Sequence, residues 1–511
     1  MKLGRARSVG LVGMEASVVE VEAVVGGGLP RTVIVGLPDA ALHEARDRCR
    51  AALGQAGFGW PDHLVTINLS PASLPKAGTH YDLAIAGAVL EAAGVVPADR
   101  LGGCILLGEL GLDAAVRPVR GVLPSVLAAR EAGFDRVVVP AGQLPEAGLV
   151  EGIAVVGVAG LAELVSWLRG QDVVPAATEA PAVDPPDERR LDLADVAGQL
   201  EARWALEVAA AGRHHLFLTG PPGVGKTLLA ERLPGILPEL STTEALEVAA
   251  IRSVAGLSVG GRLSRRAPYS APHHSASIAA MVGGGARIAQ PGAISLAHRG
   301  VLFLDEAPEF SPRALDALRT PLESGRVELA RALAQTSYPA RFQLVLAANP
   351  CPCGRAGVRG SSCECTPMAV RRYAGRLSGP ILDRIDIVQP LRPMTRSYLR
   401  AAGATGESSD AVAERVAAAR ARQARRLEGL GARCNAEVPG SALRTRLPRP
   451  DGVDLLESSM ARGLLSLRGL DKVLRLAWTV ADLAGSDRPS VEHVRTAIAL
   501  RRGEDAGAVA S

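Results

Sequence analysis

Apolar and polar positions alternate with period two in VVEVEAVV (18–25), RTVIVGL (31–37) and HLVTINL (63–69), as they do in half-buried strands. ALHEARDRCRAAL (41–53) and DLAIAGAVLEAAG (82–94) space their apolar residues as helices do. This alternation predicts an α/β unit with its own core over residues 1–170. The pattern breaks at QDVVPAATEAPAVDPPDERR (171–190), where Pro, Ala and acidic residues predict an extended linker. Strands and helices resume over 191–393. HHLFLT (214–219), GVLFLDE (300–306) and FQLVLAAN (342–349) read as strands, and TLLAERLPGIL (227–237) reads as one helix. VELARALAQTSYPARF (327–342) reads as two short strands around a turn. Over 394–511 the periodicity becomes helical, clearest in RSYLRAAG, DAVAERVAAARARQARRLEGL and GLDKVLRLAWTVADLAG. No internal repeat is visible.

Composition changes this picture little. Apolar residues make up 48% and aromatics only 3%, so the cores must be built mainly from Ala, Val and Leu. A net charge of +4 neither demands nor excludes a nucleic-acid partner. Lys2, Lys76, Lys226 and Lys472 are the only lysines, and the other basic residues are arginines. Met1 to Gly13 lacks the apolar core and cleavage site of a signal peptide, and no apolar run is long enough to span a membrane. Four of seven cysteines fall between 351 and 365, which argues for metal over disulfides, and the chain reads as cytoplasmic.

The chemistry concentrates in the second unit. GPPGVGKT, comprising Gly220, Pro221, Pro222, Gly223, Val224, Gly225, Lys226 and Thr227, fits G-x-x-x-x-G-K-[ST] between a strand and a helix. Such glycines let backbone N–H groups close around phosphates. Lys226 would reach the β- and γ-phosphates of ATP, and Thr227 would bind magnesium. GVLFLDE ends a buried strand in two acids. Asp305 would hold the magnesium through water, and Glu306 would orient and deprotonate the attacking water. Asn349 closes a third apolar strand and would help position that water; a cap or turn role is the alternative. Arg384 stands between two acids in GPILDRIDI, either in a surface ion-pair cluster or as an arginine finger for a neighbouring subunit's ATP. Arg468, opening a helix, would contact the γ-phosphate from the same subunit. Cys351, Cys353, Cys363 and Cys365 form C-x-C-x9-C-x-C. This suits a structural zinc site, with iron–sulfur ligation and plain reduced thiols as alternatives. The basic stretch RVAAARARQARR (415–426) is explained by a solvated helix face, and it lacks aromatics for base stacking.

Together these residues resemble the YifB/ComM family of magnesium-chelatase-like AAA+ proteins almost end to end. APHHSASIAAMVGGG, PGAISLAHRGVLFLDEAPEF and NPCPCG are similar to family signatures, and the second also resembles the matching stretch of MCM helicases. The resemblance implies a P-loop AAA+ core, a Lon-protease-like N-terminal domain and a helical C-terminal lid. It implies a homo-hexameric ring and, for ComM-type members, an ATP-driven DNA helicase that promotes branch migration. By analogy with the MCM branch, the 327–342 hairpin would point into the ring channel, with Arg331 against DNA. His273 and His274 would line the same channel and are assigned no metal. In the Lon-like part, PKAGTHYD (75–82) carries His80 where a nucleophilic serine is expected, and VRGVLPSV (119–126) lacks the base lysine. That implies a non-proteolytic scaffold. A protein remodeller similar to the magnesium-chelatase ATPase subunit is the competing expectation.

Overall fold

The computed structural model describes residues 2–36, 40–76, 78–171, 191–285, 288–331, 334–357, 362–393, 406–463 and 465–504. The expected linker therefore lies outside the described residues except for Gln171, as does the segment 396–403.

The N-terminal part is a seven-stranded mixed sheet. It contains β1 (Lys2–Val12), β2 (Glu15–Gly26), β3 (Arg31–Val35), β4 (Leu64–Ser70), β5 (Cys104–Leu106), β8 (Arg136–Pro140) and β9 (Ala154–Val158), in the order β3-β4-β2-β1-β5-β8-β9. A short hairpin, β6 (Glu109–Leu110) with β7 (Val116–Arg117), stands apart from it. The strands at 18–25, 31–37 and 63–69 and both expected helices are present, the latter as Ala40–Gln55 and Asp82–Ala92. β1 was not evident in the sequence, because two glycines and two arginines dilute its period-two signal. Its polar face is nonetheless matched: Arg5 pairs with Glu22 at 3.1 Å and Arg7 with Glu20 at 3.2 Å across the β1–β2 ladder. Gly4 is required by close approach, since a Cβ there would lie 2.1 Å from the Ala88 carbonyl oxygen. Asp82 opens its helix fully buried and accepts two bonds from Arg48, at 2.7 and 3.0 Å. Burial pushes its carboxyl up to about 6 against the pull of Arg48.

The second sheet is all parallel. β10 (Leu216–Thr219), β11 (Tyr269–Ser270), β14 (Val301–Leu304), β17 (Gln343–Ala348) and β18 (Ile387–Pro390) run in the order β11-β14-β17-β10-β18. β14 and β17 are buried along their whole length, as strands covered on both faces must be. Two hairpins project from this unit: β12 (Gly283–Gly284) with β13 (Gln290–Pro291), and β15 (Arg326–Ala330) with β16 (Gln335–Pro339). The helix expected at 227–237 is split into Lys226–Ala230 and Leu233–Ile236. Pro234 has no N–H to continue the first helix and sits instead in the opening turn of the second.

The N-terminal sheet is joined to this unit through the helix Val122–Glu131, which lies on the helix Thr242–Ala255. Gly121 N–H donates to the Ser253 carbonyl at 3.0 Å, and Val122, Leu123 and Val126 share a core with Ala249 and Ala250. The C-terminal helices Ser409–Arg426, Gly440–Thr445, Val453–Ala461, Leu467–Leu483 and Val491–Arg502 share one apolar core with the parallel sheet. Leu216, Leu218 and Ile387 there meet Val416, Ala419, Leu476 and Trp478. The basic stretch 415–426 is solvated only in part: Arg415, Ala417, Ala418, Ala421, Ala424 and Arg425 are exposed, whereas other positions are anchored. Arg415 bonds Glu207 at 2.7 Å, Arg420 donates to the Ala210 carbonyl at 2.8 Å, and Arg426 lies 4.2 Å over the Trp478 ring while bonding Asp482. These arginines tie the helix to its neighbours, so the solvated face is narrower than the sequence suggests.

A buried ion pair locks the C-terminal helices to the sheet. Lys472 Nζ donates to Asp386 Oδ1 at 2.7 Å and to the Ile385 carbonyl at 3.0 Å, just before β18. Burial would raise the Asp386 carboxyl, but Lys472 and then His214 and His215 hold it well below the usual range. Removing one partner of such a pair leaves an uncompensated buried charge, worth about 3–5 kcal/mol. Lys472→Met should therefore lose about that much in denaturant unfolding followed by tryptophan fluorescence. A shift within about 0.5 kcal/mol would show that the pair does not hold the helices.

Candidate active site

The parallel register brings the carboxyl ends of β10, β14 and β17 together. Thr219 pairs with Ala348 and Leu304 with Leu346, so the residues that follow each strand share one edge. The loop after β10 runs Gly220 to Gly225 into the helix Lys226–Ala230. A Cβ on Gly220 would sit 2.6 Å from the Leu391 carbonyl oxygen, and Gly223 and Gly225 have φ of +77° and +96°. Only glycine meets all three demands without strain. Val224 packs against the sheet core, while Pro221 and Pro222 stiffen the turn.

Lys226 folds back into this loop. Its Nζ donates to the carbonyls of Gly220 at 2.6 Å and Pro221 at 2.9 Å and to Asn349 Oδ1 at 2.9 Å. Burial lowers its pKa, and Asp305 and Glu306 oppose that shift. Thr227 Oγ1 donates to Asp305 Oδ2 at 2.7 Å, and the Glu306 amide donates to Asp305 Oδ1 at 2.9 Å. Glu306 adopts φ +49°, a left-handed conformation uncommon for a residue with a Cβ. The sheet thus gathers a cation, a hydroxyl, two carboxylates and an amide at the mouth of a glycine cradle. The donor set fits a nucleotide triphosphate with a divalent cation: Lys226 and the cradle amides for phosphates, Thr227 and Asp305 for the metal.

Three expected residues lie elsewhere. Arg384 precedes β18, whose Ile387 pairs with Leu216 at the start of β10, so Arg384 stands at the opposite end of the sheet from the glycine loop. There it bonds Glu323 and the Pro380 carbonyl. Arg468 is exposed in the first turn of the helix Leu467–Leu483. Arg331 follows β15 and donates to the Gly285 carbonyl at 3.1 Å, tying together the two hairpins.

One feature escaped the sequence reading. His274, expected along a channel, has its Nδ1 3.1 Å from Glu306 Oε2. Its only sequence signal is the HH pair in the loop after β11, which does not reveal a partner 32 residues on. The cysteine loop follows directly on Asn349, where the sequence suggests that a bound metal would brace that residue. Cys351, Cys353, Cys363 and Cys365 bring their sulfurs within 4.8 Å of one another. The Arg355 amide, then the Cys351 thiol, lower the Cys353 thiol to about 6. Four thiols so placed fit a tetrahedral cation. At Gly354, within this loop, a Cβ would stand 2.5 Å from Pro222 Cδ, so the cysteine loop leans directly on the glycine cradle.

The fold and the site define a P-loop α/β protein of the AAA+ class. Residues 192–399 match the family described as magnesium chelatase, subunit ChlI; residues 21–143 match subunit ChlI of Mg-chelatase; residues 406–501 match the ChlI C-terminal family. An uncharacterized protein of Mycobacterium tuberculosis is 54% identical over 98% of this chain and 99% of its own length. Uncharacterized protein YifB of Escherichia coli is 43% identical over 96% of this chain and 95% of its own. Competence protein ComM of Haemophilus influenzae is 40% identical over 96% of each chain. The chain belongs to the YifB/ComM family of magnesium-chelatase-like AAA+ proteins, with a Lon-like N-terminal part and a helical C-terminal part. Among the described residues no helix is long and apolar enough to cross a membrane.

Gly354 packs closely against Pro222, so an ordered cysteine loop would buttress the glycine cradle. Elemental analysis of the purified chain should return about one thiolate-bound metal ion per chain. Stripping that ion should weaken nucleotide binding, measured by titration with a fluorescent ATP analogue. Four free thiols in the purified chain, or unchanged nucleotide affinity after stripping, would contradict this.

Proposed function

We propose that this chain hydrolyses ATP at the Lys226–Thr227–Asp305–Glu306–Asn349 centre, and that a homo-hexameric ring of it uses that energy to move DNA strands, as a branch-migration helicase does. The observation that carries the hydrolysis reading is the meeting of Lys226, Thr227, Asp305 and Asn349 within hydrogen-bond reach at the glycine cradle. Bound magnesium would neutralise the charge developing between the β- and γ-phosphates. The chain's own groups do the rest. Gly220 to Gly225 cradle the phosphates, Lys226 turns from its carbonyl partners to the β- and γ-oxygens, and Thr227 and Asp305 hold the metal. Asn349 orients the water, and Glu306 takes its proton.

The position of Arg384 supports the ring. At the far end of its own sheet it cannot reach its own cradle, so as a finger it serves the next subunit. Arg468 contacts the γ-phosphate from the same subunit. DNA as substrate draws on the likeness to the competence protein ComM and on the β15–β16 hairpin, with Arg331 following β15, as a phosphate contact in the channel. The Lon-like part acts as a non-proteolytic scaffold: His80 stands at the nucleophile position, and Arg120, not a lysine, is found in the later segment. The metal proposed for the cysteine loop is zinc, which four tetrahedrally placed thiolates would suit. A protein-remodelling role is the second reading, favoured by the match of residues 192–399 to the magnesium-chelatase subunit.

ATP hydrolysis by the purified chain, with and without single-stranded and forked DNA, separates these readings. DNA should raise turnover several-fold. Glu306→Gln should bind nucleotide and lose about 10²–10⁴ in turnover, and Lys226→Ala should not bind nucleotide. Robust hydrolysis that every DNA leaves unchanged would rule out the DNA motor in favour of a protein substrate. Wild-type turnover in Glu306→Gln would remove Glu306 from its role.

A further inference from the structure

A cavity of about 370 Å³ lies where the N-terminal sheet meets the hairpins of the second unit, and none of its lining residues belongs to the nucleotide centre. The N-terminal part lends it Leu11 of β1, Thr79, Glu109 of β6 and Arg120, which follows β7. From the second unit come Val254 of the helix Thr242–Ala255, Ile288 and, from β13, Gln290. Small ligands commonly bind in cavities of this size at the seam between two folded units.

The charged groups of this cavity are held in place but not neutralised. Arg120 stands between two anchored residues. The Val119 amide donates to Gln143 Oε1 at 2.8 Å, Gln143 Nε2 donates back to the Val119 carbonyl at 2.7 Å, and the Gly121 amide donates to the Ser253 carbonyl at 3.0 Å. The Arg120 guanidinium itself has no hydrogen-bond or ion-pair partner among the described residues. Glu109 is set by Thr79, whose hydroxyl donates to its Oε2. The amides on either side of Glu109 are tied as well: Gly108 donates to the His80 carbonyl and Leu110 to Asp82 Oδ2, both at 3.2 Å. Arg120 and Glu109 thus line one cavity without pairing with each other. Gln290 is uncommitted too, since its buried Oε1 has no hydrogen-bond partner among the described residues. Its strand is fixed by the buried Tyr338, whose hydroxyl donates to the Ala289 carbonyl.

A cation and a carboxylate that do not pair, an uncommitted amide and an apolar wall are the complement of a zwitterion with an apolar body. We propose that this cavity binds an apolar α-amino acid or a short apolar peptide with free termini. The ligand's carboxylate pairs with Arg120 and its ammonium with Glu109. Gln290 turns its amide to the ligand, whose apolar part packs on Leu11, Val254 and Ile288. A simple anion would satisfy Arg120 but be repelled by Glu109, and a simple cation would meet the reverse. Because the backbone on both sides of Arg120 and Glu109 is already anchored, binding costs little ordering there. The occupant touches both the N-terminal sheet and β13, so it also strengthens the joint between the two units.

Isothermal titration of the full chain with leucine, Ala-Leu and Ala-Ala-Leu tests this, each compared with its N-acetyl and C-terminal amide forms. At least one zwitterion should bind with a Kd below about 1 mM. Tightest binding by leucine identifies a free amino acid as the ligand, and tightest binding by Ala-Leu or Ala-Ala-Leu identifies a peptide. Capping either end of the tightest ligand should weaken it roughly tenfold or more, because each cap removes one charged hydrogen-bonding group. Arg120→Gln should bind the free and amidated forms equally weakly, and Glu109→Gln should do the same for the free and acetylated forms. Both variants should bind a fluorescent ATP analogue as wild type does, which shows that they are folded. Should either variant fail that control, the capped ligands on wild type still decide the matter. Capped forms that bind wild type as well as the free ones overturn the proposal, as does the absence of binding by all three zwitterions. Inorganic phosphate that binds through Arg120 while no zwitterion binds also overturns it, and marks a simple anion site instead.

Discussion

Everything at the candidate site depends on β17 lying between β10 and β14 in parallel register. The three strands come from residues 216–219, 301–304 and 343–348 and meet only because the sheet interleaves them. Parallel pairing puts all three carboxyl ends on one edge, the usual place for ligands in open α/β sheets. Lys226 then reaches Asn349, and Thr227 reaches Asp305, at 2.9 and 2.7 Å. A slip of one residue would turn each buried strand over and send these side chains to different faces. The one polar residue of β17, buried Gln343, helps fix its place, since its Nε2 donates to the Ala209 and His214 carbonyls at 3.0 and 2.8 Å.

The same sheet fixes what surrounds the site. Its edge strand β18 is pinned to the C-terminal helices by Lys472 and Asp386, and the shared core around Trp478 makes sheet and helices one packed body. On the other side, Gly121 and Ser253 join the N-terminal sheet to the helix Thr242–Ala255. Close-packed contacts of this kind transmit displacement, because interiors have little free volume in which to absorb it. The cysteine loop bears on the nucleotide edge through Gly354, while the C-terminal helices hold the opposite end of the sheet through Asp386.

Much of this was legible in the sequence because it rests on local signals. The glycine loop, the acids after β14 and the asparagine after β17 each follow a short apolar run, and their spacing already implied one centre. The hairpin at 327–342 was legible from its alternation. What was not legible depends on partners distant along the chain. β1 looks weak alone, since Arg5 and Arg7 become strand-like only opposite Glu22 and Glu20. The arginines of 415–426 look solvated until Glu207, Ala210 and Asp482 close over them. His274 gains its contact only when folding brings Glu306 to it. The split at Pro234 was a local signal that an apolar helical pattern overrode.

The central claim is that the catalytic unit is a ring in which Arg384 completes the neighbouring subunit's site. It is tested most directly by mixing two inactive variants. Arg384→Ala keeps its cradle and lacks the finger, whereas Lys226→Ala keeps the finger and lacks a working cradle. If the finger acts in trans, mixed assemblies of the two should recover ATP hydrolysis that neither shows alone. Demonstrably mixed assemblies that stay inactive at every ratio would contradict the account.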